Sequence, residues 1–181
     1  MLTALVMSFS FSPALAQLDM EGGNIGVFAD DAGTSCNLSD APGVLSVYFL
    51  CLGAIDATAS QWAAPHPTCL HAEHISDVCA FPIYIGDTET GIIVGYPTCK
   101  VGTFLIVTAT YNVLESATEC CRWSVVPDPS LPSGKIETVD CFFMVHYPPG
   151  GQAVVNATPE CTCSVPTEDT TWGKLKALYA N

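Results

Sequence analysis

Ten cysteines in a chain of 181 residues constrain this sequence more than any other feature. They are Cys36, Cys51, Cys69, Cys79, Cys99, Cys120, Cys121, Cys141, Cys161 and Cys163, an even set. All follow residues 1–16, MLTALVMSFSFSPALA, an uncharged apolar stretch ending in Ala14-Leu15-Ala16. That stretch has the apolar region and small-x-small cleavage site of a secretory signal peptide, although the usual cationic start is missing. An even set of cysteines behind an export signal reads as a disulfide framework, so all or nearly all ten are expected to be half-cystines of one chain. The expected location is therefore secreted, either extracellular or periplasmic. Cys120 and Cys121 are expected to take different partners, because a bond between neighbours closes a strained ring. The same holds for Cys161 and Cys163, which lie too far apart along a strand to bridge easily. The reversal at Pro148-Pro149-Gly150-Gly151 predicts that Cys141 pairs with Cys161 or Cys163.

With the signal removed, residues 17–181 form a single domain, large enough to bury a sizeable core. Thirteen prolines and fourteen glycines punctuate short runs rich in Val, Ile, Thr, Phe and Tyr, which is the rhythm of strands and turns. Strands are predicted over 24–29, 44–52, 59–63, 80–85, 91–96, 102–113, 121–126, 136–141 and 152–155, with 44–52 buried on both faces. In the sixth of these, Val107, Ala109, Tyr111 and Val113 share one face and Thr108, Thr110 and Asn112 the other. The run Val101–Leu114 is broken by Gly102 and three threonines, so it reads as a buried strand and the mature chain has no transmembrane segment. Only the end looks helical: Thr170-Thr171 can cap a stripe of Trp172, Leu175, Leu178 and Tyr179. The fold class is all-β, a two-sheet β-sandwich with a short C-terminal helix; a jelly roll or barrel is the alternative.

Eighteen acidic residues against five basic ones give a net charge of −13. Nucleic acid is excluded as a partner, because neutralising phosphates needs clustered Lys and Arg, and an anionic membrane is disfavoured for the same reason.

Three histidines, His66, His71 and His74, lie among Cys69, Glu73, Asp77 and Cys79. Imidazole and thiolate are zinc ligands, but the spacing matches no usual zinc site. The competing reading is a cystine-stapled loop with solvent-facing histidines. Asp30, Asp31 and Asp40, with Asn37, have the oxygen chemistry calcium needs, and Asp87 and Glu89 form a second acidic turn. Asp and Asn also build ordinary turns by capping their own backbone. No cofactor is expected, calcium being the one open possibility. No nucleophile motif is present, and His146 has no Ser or Cys marked as its partner. Asn37 and Asn156 begin glycosylation sequons. Trp62, Trp123 and Trp172 read as core rather than as sugar platforms.

Several segments carry a resemblance. Gly26-Val27-Phe28-Ala29-Asp30, Val125-Val126-Pro127-Asp128-Pro129, Ser133-Gly134-Lys135-Ile136, Gly150-Gly151-Gln152-Ala153 and Thr170-Thr171-Trp172-Gly173 together resemble a group of uncharacterised secreted proteins from environmental bacterial genomes. Val101–Tyr111 (VGTFLIVTATY) resembles a central strand of cohesin-like sandwiches, which implies surface binding or scaffolding. Two functional classes follow. One is a non-catalytic secreted or cell-surface module, structural, adhesive or ligand-binding, with an extracellular protein or glycan as partner. The other is a secreted hydrolase working through Asp or Glu residues that leave no local signature.

Overall fold

Two long strands set the architecture of the computed structural model, which describes residues 22–163 and residue 165. The elements are β1 (Asn24–Phe28), β2 (Asn37–Leu38), β3 (Gly43–Trp62), β4 (His71–Cys79), β5 (Ile83–Asp87), β6 (Gly91–Glu115), β7 (Cys121–Ser124), β8 (Glu137–Asp140), β9 (Val145–His146) and β10 (Gln152–Val155). β3 and β6 pair antiparallel from Gly43 opposite Val113 to Trp62 opposite Ile92. Their register shifts repeatedly between Phe49 and Ala59, where Gly53 (φ 58°) and Gly102 (φ 80°) take the left-handed conformation that glycine reaches without strain. Such bulges bend a strand, so each long strand has two halves with different neighbours.

Along one half, β4 flanks β6 and β1 flanks β3; along the other, β5 flanks β6 and β8 flanks β3, with β9 beyond β8. This gives a seven-stranded sheet. A second, three-stranded sheet has the order β2-β10-β7. The core lies between the sheets. Phe49 and Tyr111 of the large sheet meet Trp123 of the small one, with Tyr111 and Trp123 edge-to-face at 5.0 Å, and Trp62 packs on Phe49. Both indole N–H groups are satisfied: Trp123 donates to the Ala64 carbonyl at 3.0 Å and Trp62 to Ser60 Oγ at 3.1 Å.

The sandwich agrees with the sequence reading, and several details do not. The predicted strands over 44–52 and 59–63 are one strand, as are 91–96 and 102–113. Residues 44–52 are not buried on both faces, since Val44 is 75 % exposed. The segment read as a stapled loop before Cys79 is largely the edge strand β4. The signal peptide, Trp172 and the expected helix near 170–179 lie outside the described residues.

Four disulfides are present: Cys36–Cys163, Cys69–Cys121, Cys99–Cys141 and Cys120–Cys161. Cys120 and Cys121 take different partners, and so do Cys161 and Cys163. The expectation of all or nearly all ten as half-cystines is corrected to eight, because Cys51 and Cys79 are unbridged. Cys51 is buried on β3, with its Sγ 3.8 Å from the Gly22 carbonyl. The pairing of Cys141 with Cys161 or Cys163 is also corrected. Ala57 pairs with both Lys100 and Asp140, which brings the next residues, Cys99 and Cys141, to the same irregular stretch of sheet. The reversal at 148–151 leads instead into β10 of the other sheet, so Cys161 and Cys163 find partners there.

Candidate functional site

Register fixes which side chains share the outer face of the large sheet. On the β4-β6-β3 half, Glu73, Asn112 and Val44 form one row, Ser76, Thr110 and Ser46 the next, and Val78, Thr108 and Tyr48 a third. Directly opposite residues of antiparallel strands lie on the same side. The alternate residues Val47, Val107, Ala109 and Tyr111 are fully buried, so these rows face outward. Val44, Ile75, Val78 and Leu114 are each more than half exposed. The result is a stiff face of hydroxyl, amide and aliphatic groups with acidic residues only at its margin, Glu73 and Glu115, on a strongly acidic chain.

The other half presents a different outer face. Ile83, Gly95, Ala59, Val139 and Val145 form a row across five strands. Beside it run Ile85, Ile93, Gln61 and Glu137. The row ends at the β8–β9 turn, where Phe142, Phe143 and Met144 are 78 %, 82 % and 61 % exposed. This turn is held in shape. Asp140 Oδ1 accepts the N–H groups of Phe142 and Met144, both at 2.8 Å, and Oδ2 accepts His146 Nε2 at 2.9 Å. The Cys141 N–H donates to the Asp56 carbonyl at 2.8 Å, and Phe143 sits at φ 64°. The His146 contact and the two backbone N–H groups hold the Asp140 carboxyl below its ordinary pKa against a smaller opposing effect of burial.

Beneath the first face lies a histidine–carboxylate network that contains two of the three histidines considered for zinc, His66 and His74. His66 Nδ1 donates to Glu89 Oε2 at 2.8 Å, and the Tyr111 hydroxyl donates to Glu89 Oε1 at 2.8 Å. His74 Nε2 donates to Asp77 Oδ1 at 2.9 Å. Asp77 also accepts the Thr88 N–H at 2.7 Å and the Thr88 hydroxyl at 3.0 Å. The two imidazoles flank the Tyr111 ring at 5.9 and 5.3 Å. Burial pushes the Tyr111 phenol well above its usual pKa. His71 stands apart, exposed at the start of β4, and Cys69 is bonded to Cys121. The histidines therefore fasten the β5–β6 turn under β4 rather than converge on one point.

The calcium candidates also separate. Asp30 accepts from Ala32 N–H, Thr34 N–H, Thr34 Oγ1 and Ser35 N–H of its own loop. Burial raises its pKa, but those hydrogen bonds outweigh burial and the net shift is downward. Asp40 instead binds the Ala117 N–H and the Asn156 amide, and Asp31 is exposed. Among the described residues, no group of three or more His, Cys, Asp and Glu side chains is placed to hold a metal ion. Both sequon asparagines have working side chains: Asn37 with the Cys163 backbone, Asn156 with Asp40 and Ala117. The β8–β9 turn went unnoticed in the sequence, although three consecutive apolar residues after a cysteine were the available signal.

The fold has solved counterparts. One chain similar to this one is the sixth cohesin of Acetivibrio cellulolyticus scaffoldin B, from its complex with a mutant Cel5 dockerin. It is 12 % identical, with a TM-score of 0.50, over 76 % of this chain and 99 % of that one. Another comes from the complex of CaDoc0917 with CaCohA2, at 11 % identity and a TM-score of 0.51, over 73 % of this chain and 98 % of that one. CaCohA2 is from Clostridium acetobutylicum. The chain has a cohesin-like fold. No family model matches the sequence, and no curated protein sequence does. At these identities the likeness concerns the cohesin-like sandwich itself. Among the described residues no helix is long and apolar enough to cross a membrane.

Proposed function

We propose that this chain is a non-catalytic, exported binding module that takes an extracellular protein on the outer β4-β6-β3 face. The observation that carries the reading is the composition of that face: rows of Ser, Thr and Asn interleaved with exposed Val44, Val78 and Leu114. A mixed, nearly uncharged surface is what the core of a protein–protein interface requires, since charged residues are depleted there. The face is built on paired strands, so binding costs little ordering of the backbone. The structural counterpart from Acetivibrio cellulolyticus was crystallised with a dockerin, which supports a protein partner. The four disulfides support export to an oxidising compartment. In the histidine network, the oxygens of Glu89 and Asp77 are already engaged by internal donors, which favours a structural over a catalytic role.

The test is a panel of immobilised dockerin modules and secreted proteins, with a glycan array and glycoside, ester and peptide substrates in parallel. Saturable protein binding that Thr110→Arg with Ser46→Arg abolishes, in a protein of unchanged circular dichroism, supports the reading. Turnover lost on changing one Asp, Glu or His to Ala, with folding intact, overturns it in favour of a hydrolase.

A further inference from the structure

We propose that the β8–β9 turn, with the apolar row behind it, is a second contact surface, and that it rests in the interface of a lipid bilayer with neutral headgroups. This surface is distinct from the protein-binding face proposed above.

The turn is convex. Three consecutive side chains, Phe142, Phe143 and Met144, project from a five-residue reversal closed by Asp140 N–H to the Met144 carbonyl at 3.0 Å and Phe143 N–H to the Asp140 carbonyl at 3.1 Å. Side chains splayed in this way fit another protein only where a concave pocket encloses all three. A bilayer interface deforms around them, and apolar side chains inserted there bind in proportion to the area they bury. The shape is preset by the Cys99–Cys141 bond and the Asp140 carboxylate, so insertion needs no ordering of the loop.

Charge selects the kind of membrane and argues against a second copy of the chain. Glu137 is the one charged side chain in the two rows that lead to the turn. Lys100 adjoins the Cys99–Cys141 bridge, and Lys135 Nζ lies 4.7 Å above the Tyr147 ring just past β9. These are two of the three Lys and Arg residues among the described residues, the third being Arg122, and the Lys100 ammonium lies 5.2 Å over the Phe81 ring. The chain as a whole carries −13. Two copies meeting turn to turn would repel each other, and so would the chain and an anionic membrane.

The experiment is co-sedimentation of the disulfide-bonded full chain with phosphatidylcholine vesicles, alone and with one-third phosphatidylglycerol. Binding to the neutral vesicles is expected, weaker on the anionic ones and recovering there with added salt. Phe142→Ser with Phe143→Ser should lower the partition coefficient about 100-fold, from the apolar area withdrawn. Both side chains are exposed, so folding is preserved, and Phe143→Trp gives a second readout: its emission should shift to the blue on vesicles and be quenched by brominated acyl chains. Thr110→Arg should leave vesicle binding unchanged, which keeps this result separate from that of the protein-binding face. No binding to neutral vesicles, or undiminished binding by the double variant, overturns the proposal. A dimer in sedimentation velocity that the double variant dissolves also overturns it and assigns the surface to self-association.

Discussion

Asp77→Ala tests whether the histidine–carboxylate network holds the fold. Thr88 is fully buried, and Asp77 accepts both its N–H and its hydroxyl. Removing the carboxylate strands two buried donors. At about 1–3 kcal/mol for each buried group left without a partner, the expected loss is about 3 kcal/mol. His74 adds little, because its partly exposed ring can turn to water. In urea, with a slope of about 1.5–2 kcal/mol/M, the unfolding midpoint should fall by about 1.5–2 M with the slope unchanged. Asp77→Asn keeps one acceptor for the Thr88 N–H and should cost about half as much. A cycle with Thr88→Val should show a coupling of at least about 1 kcal/mol, since the two side chains share a bond. The assay is equilibrium unfolding followed by tryptophan fluorescence, reporting Trp62 and Trp123 in the adjoining core. A midpoint shift below about 0.5 M for Asp77→Ala would refute the reasoning, because it would mean that Thr88 finds other partners at no cost.

Three further outcomes are expected. Alkylation without reductant should label no more than Cys79 in the folded protein, and both Cys51 and Cys79 after denaturation; four or more labels would break the assigned bridges. The Cys51 thiol resists because burial raises its pKa to about 12, and burial also raises that of Cys79, so neither is a ready thiolate at neutral pH. Asp140 has a folded-state pKa below its reference of 3.8, so its contribution to stability is fully present above about pH 4 and is lost as the pH falls through the lowered value. Asp140→Asn should therefore flatten the stability–pH curve below about pH 4, measured by urea midpoints at each pH, and a curve of unchanged slope would contradict the pairing with His146. Dialysis against EDTA should leave the melting temperature unchanged, because Cys69 is bridged and His66 and His74 are bound to their own carboxylates; stoichiometric zinc lost together with stability would reverse that reading.

Local patterning made the sandwich legible. The alternation from Val107 to Val113 put the right residues inward, and the even cysteine set pointed to a disulfide framework. What sequence could not supply was long-range pairing. β3 and β6 each contain a left-handed glycine, and a glycine between two apolar runs reads as the end of a strand although the chain passes through it as a bulge. β4 was hidden because its inward residues include His74 and Asp77, polar groups that bond to each other, with Asp77 also taking Thr88 on the β5–β6 turn. Cys51 and Cys79 looked like half-cystines because parity is a property of the whole chain, whereas bond formation depends on which thiols meet. The outer faces were invisible for the same reason: Thr110 and Ser46 become neighbours only through a pairing 64 residues apart.

The Cys36–Cys163 bridge has a mechanical consequence. Its half-cystines lie 127 residues apart and close to the two ends of the described chain. Tension applied through those ends would pass across the sulfurs and bypass nearly the whole sandwich. With the bridge intact, a pulled molecule could pay out only the stretches outside the bridge, and none of the 127-residue span between Cys36 and Cys163. With the bridge reduced, and the bonds nested inside it reduced as well, the same pull could release about 440 Å. A module tethered at both ends in a flowing medium would thus keep its binding faces folded under load for as long as that one bond survives.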